Sequence, residues 1–254
     1  MRLWWTSALL LGLAACRPAA LPEPPDPISG ARFQTADTQA LQRDPFANPG
    51  LLWVDRGEAL FSASPGASQP ACLDCHADRL KGAAARLPRH DADSGGLINL
   101  EMAINNCRRE RQDAPALAWE SEDLLSLTAY VAAQSAGLPF SVDLSGPARA
   151  HWQAGQRYFY TRIGQLNLSC ANCHEQFVGR QLRGDTLSQG QSVGYPAYRF
   201  EWQSLGSLHR RLQFCNGGVR AETLPGGHPT YLDLELYLAW RAGSLPLEAP
   251  AVRR

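Results

Sequence analysis

The stretch Cys72-Leu-Asp-Cys75-His76 recurs later in the chain as Cys170-Ala-Asn-Cys173-His174, giving two copies of the motif Cys-x-x-Cys-His. In this motif the two thiols add across the vinyl groups of a haem, and the adjacent histidine becomes the proximal ligand of the iron. Zinc knuckles and thioredoxin-like dithiols also use paired cysteines, but neither requires a histidine directly after the second one. The sequence therefore predicts two covalently bound c-type haems. The expected covalent attachments are Cys72, Cys75, Cys170 and Cys173, and the expected proximal ligands are His76 and His174.

The surroundings of the two motifs also match. Residues 57–61 precede the first motif as residues 155–159 precede the second, and each segment begins with glycine and ends with phenylalanine. Each half then closes with a segment of helical periodicity around a tyrosine, Tyr130 or Tyr237. A helix before the haem motif and a closing helix after it is the plan of a cytochrome c domain. We therefore predict an all-α fold of two tandem cytochrome c-type domains related by an internal repeat.

The start of the chain predicts export. Residues 1–15 combine a short positive segment, an apolar run too short to span a bilayer and a few small residues, as in a signal peptide. Cys16 follows, and its context resembles that of the lipidated cysteine of bacterial lipoproteins, although an ordinary cleavable signal remains an alternative. In either case we expect a periplasmic protein, which would be anchored to the membrane if Cys16 carries lipid.

Three segments complete the predicted organisation. Residues 16–48 contain many prolines, which favours an extended tether. The N-terminal cytochrome c domain is expected at residues 49–145. The C-terminal cytochrome c domain, with the active site, is expected at residues 146–254.

Each haem iron has a second axial position, which electron-carrying cytochromes c often fill with methionine. Met102 is the only methionine after Met1, so the second domain contains none. Cys107 and Cys215 occupy equivalent places before the two closing segments, and this recurrence favours them as distal ligands over a disulfide between them. Met102 remains a rival to Cys107. The rivals to Cys215 are His151, His209, His228 and an open site.

The charge pattern limits the classes of partner. The chain has 24 basic and 24 acidic residues, with no basic stripe, which argues against nucleic acid. Arginines flank both candidate distal cysteines, where they can lower the pKa of a thiol, bind oxyanions or pair with haem propionates. For the arginines beside Cys107 we expect propionate pairing. For Arg211, one helical turn before Cys215, propionate pairing and anion binding both stay open at this point.

The segment Arg211-Leu-Gln-Phe-Cys215-Asn-Gly-Gly-Val-Arg220-Ala-Glu, together with two c-type haem motifs, resembles the A-subunit family of the sulfur-oxidation (Sox) cytochrome complex. Members of that family are the dihaem subunits of L-cysteine S-thiosulfotransferase, and the resemblance covers residues 50–246. It implies that Cys215 ligates the active-site haem and can carry a persulfide, and that Arg211 contacts the substrate. It also implies that Cys107 ligates the N-terminal haem, which some members lack. Arg220 is a candidate second anion clamp.

The resemblance further implies an oxidative conjugation. Thiosulfate would be joined to a cysteine of the carrier protein SoxYZ, with two electrons passing through haem to cytochrome c. A smaller monohaem X subunit would complete a heterodimer. Two alternatives stay open, a plain dihaem electron carrier and a thiosulfate dehydrogenase that joins two thiosulfates into tetrathionate. The segment from Arg211 to Arg220 favours the conjugating enzyme over both.

Overall fold

The structure, a computed structural model, describes residues 26–66, 69–77 and 79–254. The predicted signal peptide, the candidate lipid anchor Cys16 and the first part of the predicted tether lie outside the described residues. None of the helices in the described ranges is long and apolar enough to cross a lipid bilayer.

Eight α-helices form most of the regular secondary structure in the described part of the chain. Those of the N-terminal half are α1 (Ala36–Arg43), α2 (Leu51–Ser62), α3 (Cys72–His76), α4 (Leu100–Arg111) and α5 (Glu122–Ala133). Those of the C-terminal half are α6 (Ala148–Tyr160), α7 (Leu208–Gly218) and α8 (Pro229–Arg241). Helix α3 contains the first haem motif, whereas most of the second lies in a π-helical turn, Asn172–Gln176. Two short 3-10 turns span Gly30–Phe33 and Ala84–Arg86.

In both halves, the helix before the haem motif crosses the closing helix at a glycine. Helix α2 meets α5 where Gly57 lies against the carbonyl group of Ser126, and α6 meets α8 where Gly155 lies against the carbonyl group of Asp233. A Cβ atom on either glycine would overlap that carbonyl oxygen, so a larger residue would push the helices apart. The two glycines therefore set the distance between the paired helices.

An aromatic pair accompanies each crossing. The ring centroids of Phe61 and Tyr130 are 5.2 Å apart, and those of Phe159 and Tyr237 are 5.4 Å apart. Tilted contacts of this kind add roughly 0.5–1.5 kcal/mol to the free energy gained from burial alone. The matching glycine, phenylalanine and tyrosine positions of the two halves thus perform the same packing task.

In the described ranges, seven short β-strands form three small sheets. The antiparallel pairs are β1 (Arg89–Asp91) with β2 (Gly96–Ile98), and β3 (Gln181–Leu182) with β4 (Asp185–Thr186). In the third sheet β5 (Ala197–Arg199) lies between β6 (Ser204–Gly206), which is antiparallel to it, and β7 (Ala251–Arg253), which is parallel to it. Tyr198 pairs with Leu205 on one side and with Val252 on the other.

The prediction of an all-α fold of two tandem repeated domains is wrong. Strands of two or three residues are too short to show the alternating pattern that reveals a strand in sequence. The two halves also share a core, because Leu97 of β2 and Met102 of α4 pack with Trp152 and Tyr237 of the C-terminal half. The matching helix pairs are therefore parts of one connected structure that also contains β-sheets.

Residues 36–43 form helix α1, although they belong to the segment expected to be an extended tether. Thr35 caps the helix, because its hydroxyl accepts a hydrogen bond from the backbone N–H of Thr38. Gln42 accepts a hydrogen bond from the backbone N–H of Val252, and Asn48 donates one to the carbonyl of Pro250. Contacts with β7 and the residue before it thus hold this segment on the folded protein.

A buried polar cluster lies where the two halves meet. Glu101 of α4 is 7% exposed and His209 of α7 is 1% exposed. The backbone N–H of Gly227 donates to Nδ1 of His209, which leaves Nε2 to donate to Glu235 at 2.9 Å. Glu235 also accepts from Asn99 at 3.1 Å. Burial, together with the nearby carboxylate of Glu235, raises the pKa of Glu101 to about 7.

The raised pKa of Glu101 predicts a pH-dependent stability. A carboxylic acid whose pKa is higher in the folded protein than in the unfolded chain binds more protons when folded. Glu101 therefore stabilises the folded state fully below pH 4.5, and this stabilisation is lost as the pH rises to about 7. In the wild type we expect the free energy of unfolding to fall by an amount on the order of 2–3 kcal/mol between pH 5 and pH 8. We expect Glu101→Gln to abolish this fall. Urea unfolding followed by circular dichroism measures this. Glu110→Gln, an exposed position on the same helix, is the control. Equal pH slopes in both variants would contradict the prediction.

Candidate active site

The second haem motif presents its histidine in a defined orientation. His174 lies in the π-helical turn, and its Nδ1 is 2.8 Å from the backbone carbonyl oxygen of Ser188. Because a carbonyl oxygen can only accept, Nδ1 must carry the proton. In a neutral imidazole this leaves the other ring nitrogen, Nε2, as the one that can bind a metal, which is the usual arrangement of a histidine ligand.

The loop that holds this histidine is itself fixed by a buried arginine. Arg241, at the end of α8 and 1% exposed, donates to the carbonyl of Gln189 at 2.7 Å and to the carboxylate of Glu175 at 3.1 Å. Gly190 follows in the left-handed region with φ 69°, and a Cβ atom there would lie only 2.8 Å from Cγ of His174. Arg241 therefore holds the loop in place, and Gly190 lies directly against the imidazole ring of His174.

Cys215 of α7 approaches the same histidine. Burial alone would raise the pKa of its thiol, but the hydrogen bond with His174 and the positive charge of Arg211 outweigh burial and lower the pKa. The charge of Cys215 in turn raises the pKa of Cys170 and Cys173, after the larger effect of their own burial, so the three sulfurs lie close together. The structure thus brings together four of the predicted site residues of the second half, together with Arg211.

This donor set fits a c-type haem. It offers two neighbouring thiols for the vinyl groups, an imidazole held through its Nδ1, and the sulfur of Cys215 beside the other ring nitrogen, where a metal would bind. Cys170, Cys173 and His174 would hold the group, and Cys215 would supply the distal ligand. Cys107 and Cys215 are both free thiols, so the alternative disulfide between them is not formed.

The first haem motif is assembled in the same way but is more open. Cys107 of α4 interacts electrostatically with both Cys72 and Cys75, and Cys75 is exposed. Gln112 donates to the sulfur of Cys72 at 3.4 Å. Met102, the rival ligand, packs into the core that α6 and α8 share. The structure therefore brings Cys107 to this motif, and the donors there also fit a c-type haem.

The three histidines that rivalled Cys215 have other partners. His209 belongs to the buried cluster with Glu235. His228 is the N-cap of α8 and accepts a hydrogen bond from the backbone N–H of Thr230. His151 lies 2.6 Å from the carboxylate of Asp233. Each of the three histidines thus has a hydrogen-bond partner outside the second Cys-x-x-Cys-His motif.

Two arginines on different secondary-structure elements place positive charge near Cys215. Arg211 lies one turn before it on α7, and Arg199 comes from β5; both charges lower the pKa of the thiol, after the hydrogen bond with His174. Arg220 lies in an exposed turn after α7, where φ is 57° and its carbonyl accepts from the N–H of Gln165. The second cation beside the thiol is therefore Arg199, which the sequence analysis did not identify as a site residue.

Sequence reasoning missed Arg241 and Arg199, and only Arg241 carries a detectable signal in the sequence. Arg241 ends an otherwise apolar helical segment on the same face as Tyr237, where a lone arginine requires a buried partner. Arg199 lies in a short segment with no clear periodicity. Its placement depends on the pairing of β5 with β7, more than fifty residues later in the chain.

Comparison with known proteins agrees with this geometry. Residues 56–140 match the family model described as SoxA/TsdA, cytochrome c domain. The L-cysteine S-thiosulfotransferase subunit SoxA of Pseudaminobacter salicylatoxidans is 40% identical over 231 residues, 89% of this chain and 81% of that protein. The same subunit of Rhodovulum sulfidophilum is 40% identical over 240 residues, 93% of this chain and 84% of that protein. The crystal structure of SoxXA from P. pantotrophus gives a TM-score of 0.86 at 35% identity, covering 91% of this chain and 92% of that chain.

The contact between Gly190 and His174 leads to a prediction about ligation. We expect Gly190→Ala to displace the imidazole ring, so that the holoprotein loses part of the low-spin signal from its second haem in electron paramagnetic resonance. Gly179→Ala is the matched control, because Gly179 also has a positive φ, 82°, but nothing lies within 4 Å of its would-be Cβ atom. Both variants carry similar backbone strain, about 1 kcal/mol. An intact signal in both would show that the close approach is unimportant.

Proposed function

The chain belongs to the SoxA family of L-cysteine S-thiosulfotransferase subunits, and on that basis we propose that Cys215 is the sulfur at which its reaction takes place. Membership of the family gives the protein a role in thiosulfate oxidation and a covalently bound c-type haem. The observation that carries the proposal is the contact of the Cys215 thiol with His174 beside the guanidinium of Arg211. A haem ligand, a sulfur and an anion-binding side chain thus meet at one place.

The proposed reaction joins thiosulfate to a cysteine of the carrier protein SoxYZ. One thiosulfate dianion and one thiol combine through a new sulfur–sulfur bond and give an S-thiosulfonate monoanion, one proton and two electrons. When bound, the haem supplies an electron acceptor beside the reacting sulfur, and an external cytochrome c takes up the electrons.

The side chains around Cys215 suit this chemistry. A lowered thiol pKa favours the thiolate, which is the form that ligates iron and that can carry a persulfide sulfur. Arg211 presents the planar guanidinium that neutralises and orients oxyanions. Arg199 of β5 adds a second positive charge near the thiol. Cys215 would therefore act as the reactive sulfur, and Arg211 would bind the substrate.

We extend the proposal to the cofactor count and the partners. Each Cys-x-x-Cys-His motif lies with one further cysteine, which supports two c-type haems rather than one. The solved structure that the chain matches is described as SoxXA, which supports a heterodimer with a monohaem X subunit. Thiosulfate, the carrier protein and a cytochrome c acceptor complete the set of proposed partners.

We propose that the mature protein works in the periplasm and is anchored to the membrane through Cys16. The support is the sequence pattern of residues 1–16, which lie outside the described residues. Labelling of cells with radioactive palmitate tests the anchor. Label that depends on Cys16 is expected, and an unlabelled mature chain that starts elsewhere would remove the anchor from the proposal.

The proposed role of Cys215 predicts the behaviour of one variant. Cys215→Ala should abolish thiosulfate-dependent reduction of cytochrome c in the presence of SoxX and SoxYZ, because the reactive sulfur is gone, while both haems stay attached. Cys107→Ala is the matched control. It removes the corresponding cysteine of the first site and is expected to retain carrier-dependent turnover.

The same assay separates the alternative functions. Turnover without SoxYZ, with tetrathionate as product, would indicate a thiosulfate dehydrogenase. No turnover in a verified complex would leave a dihaem electron carrier. Unchanged turnover in Cys215→Ala would contradict the proposed catalytic role of this residue.

A further inference from the structure

Two arginines beside Cys215 share one carboxylate. Oε1 of Glu201 lies 2.7 Å from Nε of Arg199 and 3.3 Å from Nη1 of Arg211. The side chain of Arg199 is 6% exposed, whereas those of Arg211 and Glu201 are 24% and 31% exposed. One buried cation and one accessible cation are therefore bridged by an acid that water can reach.

Local structure fixes this arrangement. Arg199 ends β5, the central strand of its sheet, and the chain turns directly after it, since the backbone N–H of Trp202 donates to the carbonyl of Arg199 at 3.0 Å. Glu201 lies within that turn, two residues after Arg199. Asp185 also faces Arg199, at the longer distance of 3.9 Å.

The neighbouring arginine on α7 does not compete for Glu201. Arg210 lies 3.9 Å from Glu120 and stacks on the ring of Trp202, with its guanidinium carbon 4.3 Å from the ring centroid. The carboxylate of Glu201 is thus directed to the two cations whose charges act on the Cys215 thiol.

From this geometry we propose that Glu201 is an internal competitor for the anion site, and that thiosulfate must displace its carboxylate from Arg211 in order to bind. The inference rests on the proposed function of Cys215 and Arg211. A carboxylate and a sulfonate-type group offer similar oxygen acceptors to a guanidinium, so the two compete for the same edge of Arg211. Glu201 belongs to the chain and needs no diffusion to return.

The competition favours binding of the substrate and release of the product. Thiosulfate enters as a dianion, whereas the thiosulfonate group formed on the carrier cysteine keeps a single negative charge. Glu201 therefore competes less well with the substrate than with the product. Its return to Arg211 would help to expel the conjugated carrier and would keep monovalent anions off the site between turnovers.

The test compares Glu201→Gln with the wild type in the complete complex with SoxX. Calorimetric titration with thiosulfate, and separately with sulfate, measures anion binding without any turnover. We expect both anions to bind about tenfold more tightly to the variant, with a difference that shrinks as ionic strength rises. In steady-state assays with SoxYZ we expect a lower KM for thiosulfate and a lower kcat, because product release becomes slower.

Asp185→Asn is the matched control. It removes a negative charge that faces Arg199 and acts on Arg211 only at longer range, without an ion pair, so we expect less than a twofold change in anion binding. Unchanged haem absorption and circular dichroism establish that both variants are folded. Equal or weaker anion binding by Glu201→Gln would overturn the proposal and would make Glu201 a support that positions Arg211. A wild-type complex that binds thiosulfate but does not turn it over would overturn the proposed function alone, because the binding comparison still decides the role of Glu201.

Discussion

The backbone contact between α6 and α8 is the constraint on which the second haem site depends. Gly155 allows α6 to lie directly against the carbonyl of Asp233, and this contact sets the position of α8. Arg241, two turns further along α8, then reaches the loop that holds His174. A displacement of α8 by the width of a methyl group would move that guanidinium out of hydrogen-bond range. The packing of two helices therefore determines the orientation of the histidine in the second Cys-x-x-Cys-His motif.

The surroundings of the two Cys-x-x-Cys-His motifs differ in the burial and pairing of their charges. In the first site Cys75 is exposed, and the arginines at the end of α4 face solvent or the backbone. In the second site Arg241 and Arg199 are buried, and each has a carboxylate partner, Glu175 or Glu201. Burying a cation costs free energy unless it is paired, so two buried and paired arginines indicate a site whose chemistry depends on fixed charge. Reactivity is thus expected at the second site, and electron transfer or structural support at the first.

Sequence analysis could predict the parts of the site that depend on local chemistry. The order of residues in the motif indicates the covalent attachment and His174 as ligand, and recurrence of a cysteine in both halves indicates Cys215. The sheets and Arg199 could not be predicted in this way, because they depend on the pairing of β5 with β7, which are far apart in sequence. Arg220 shows the opposite case. It belongs to the most recognisable segment of the chain, yet the left-handed turn after α7 carries it into solvent.

The parallel pairing of β5 with β7 also imposes an order on folding. A chain is synthesised from its N-terminus, so Cys170, Cys173 and His174 are made well before Ala251–Arg253 can add the third strand to the sheet that carries Arg199. Until then β5 can pair only with β6. The buried position of Arg199 beside Cys215 is therefore completed by β7, after every residue of the second motif has been made.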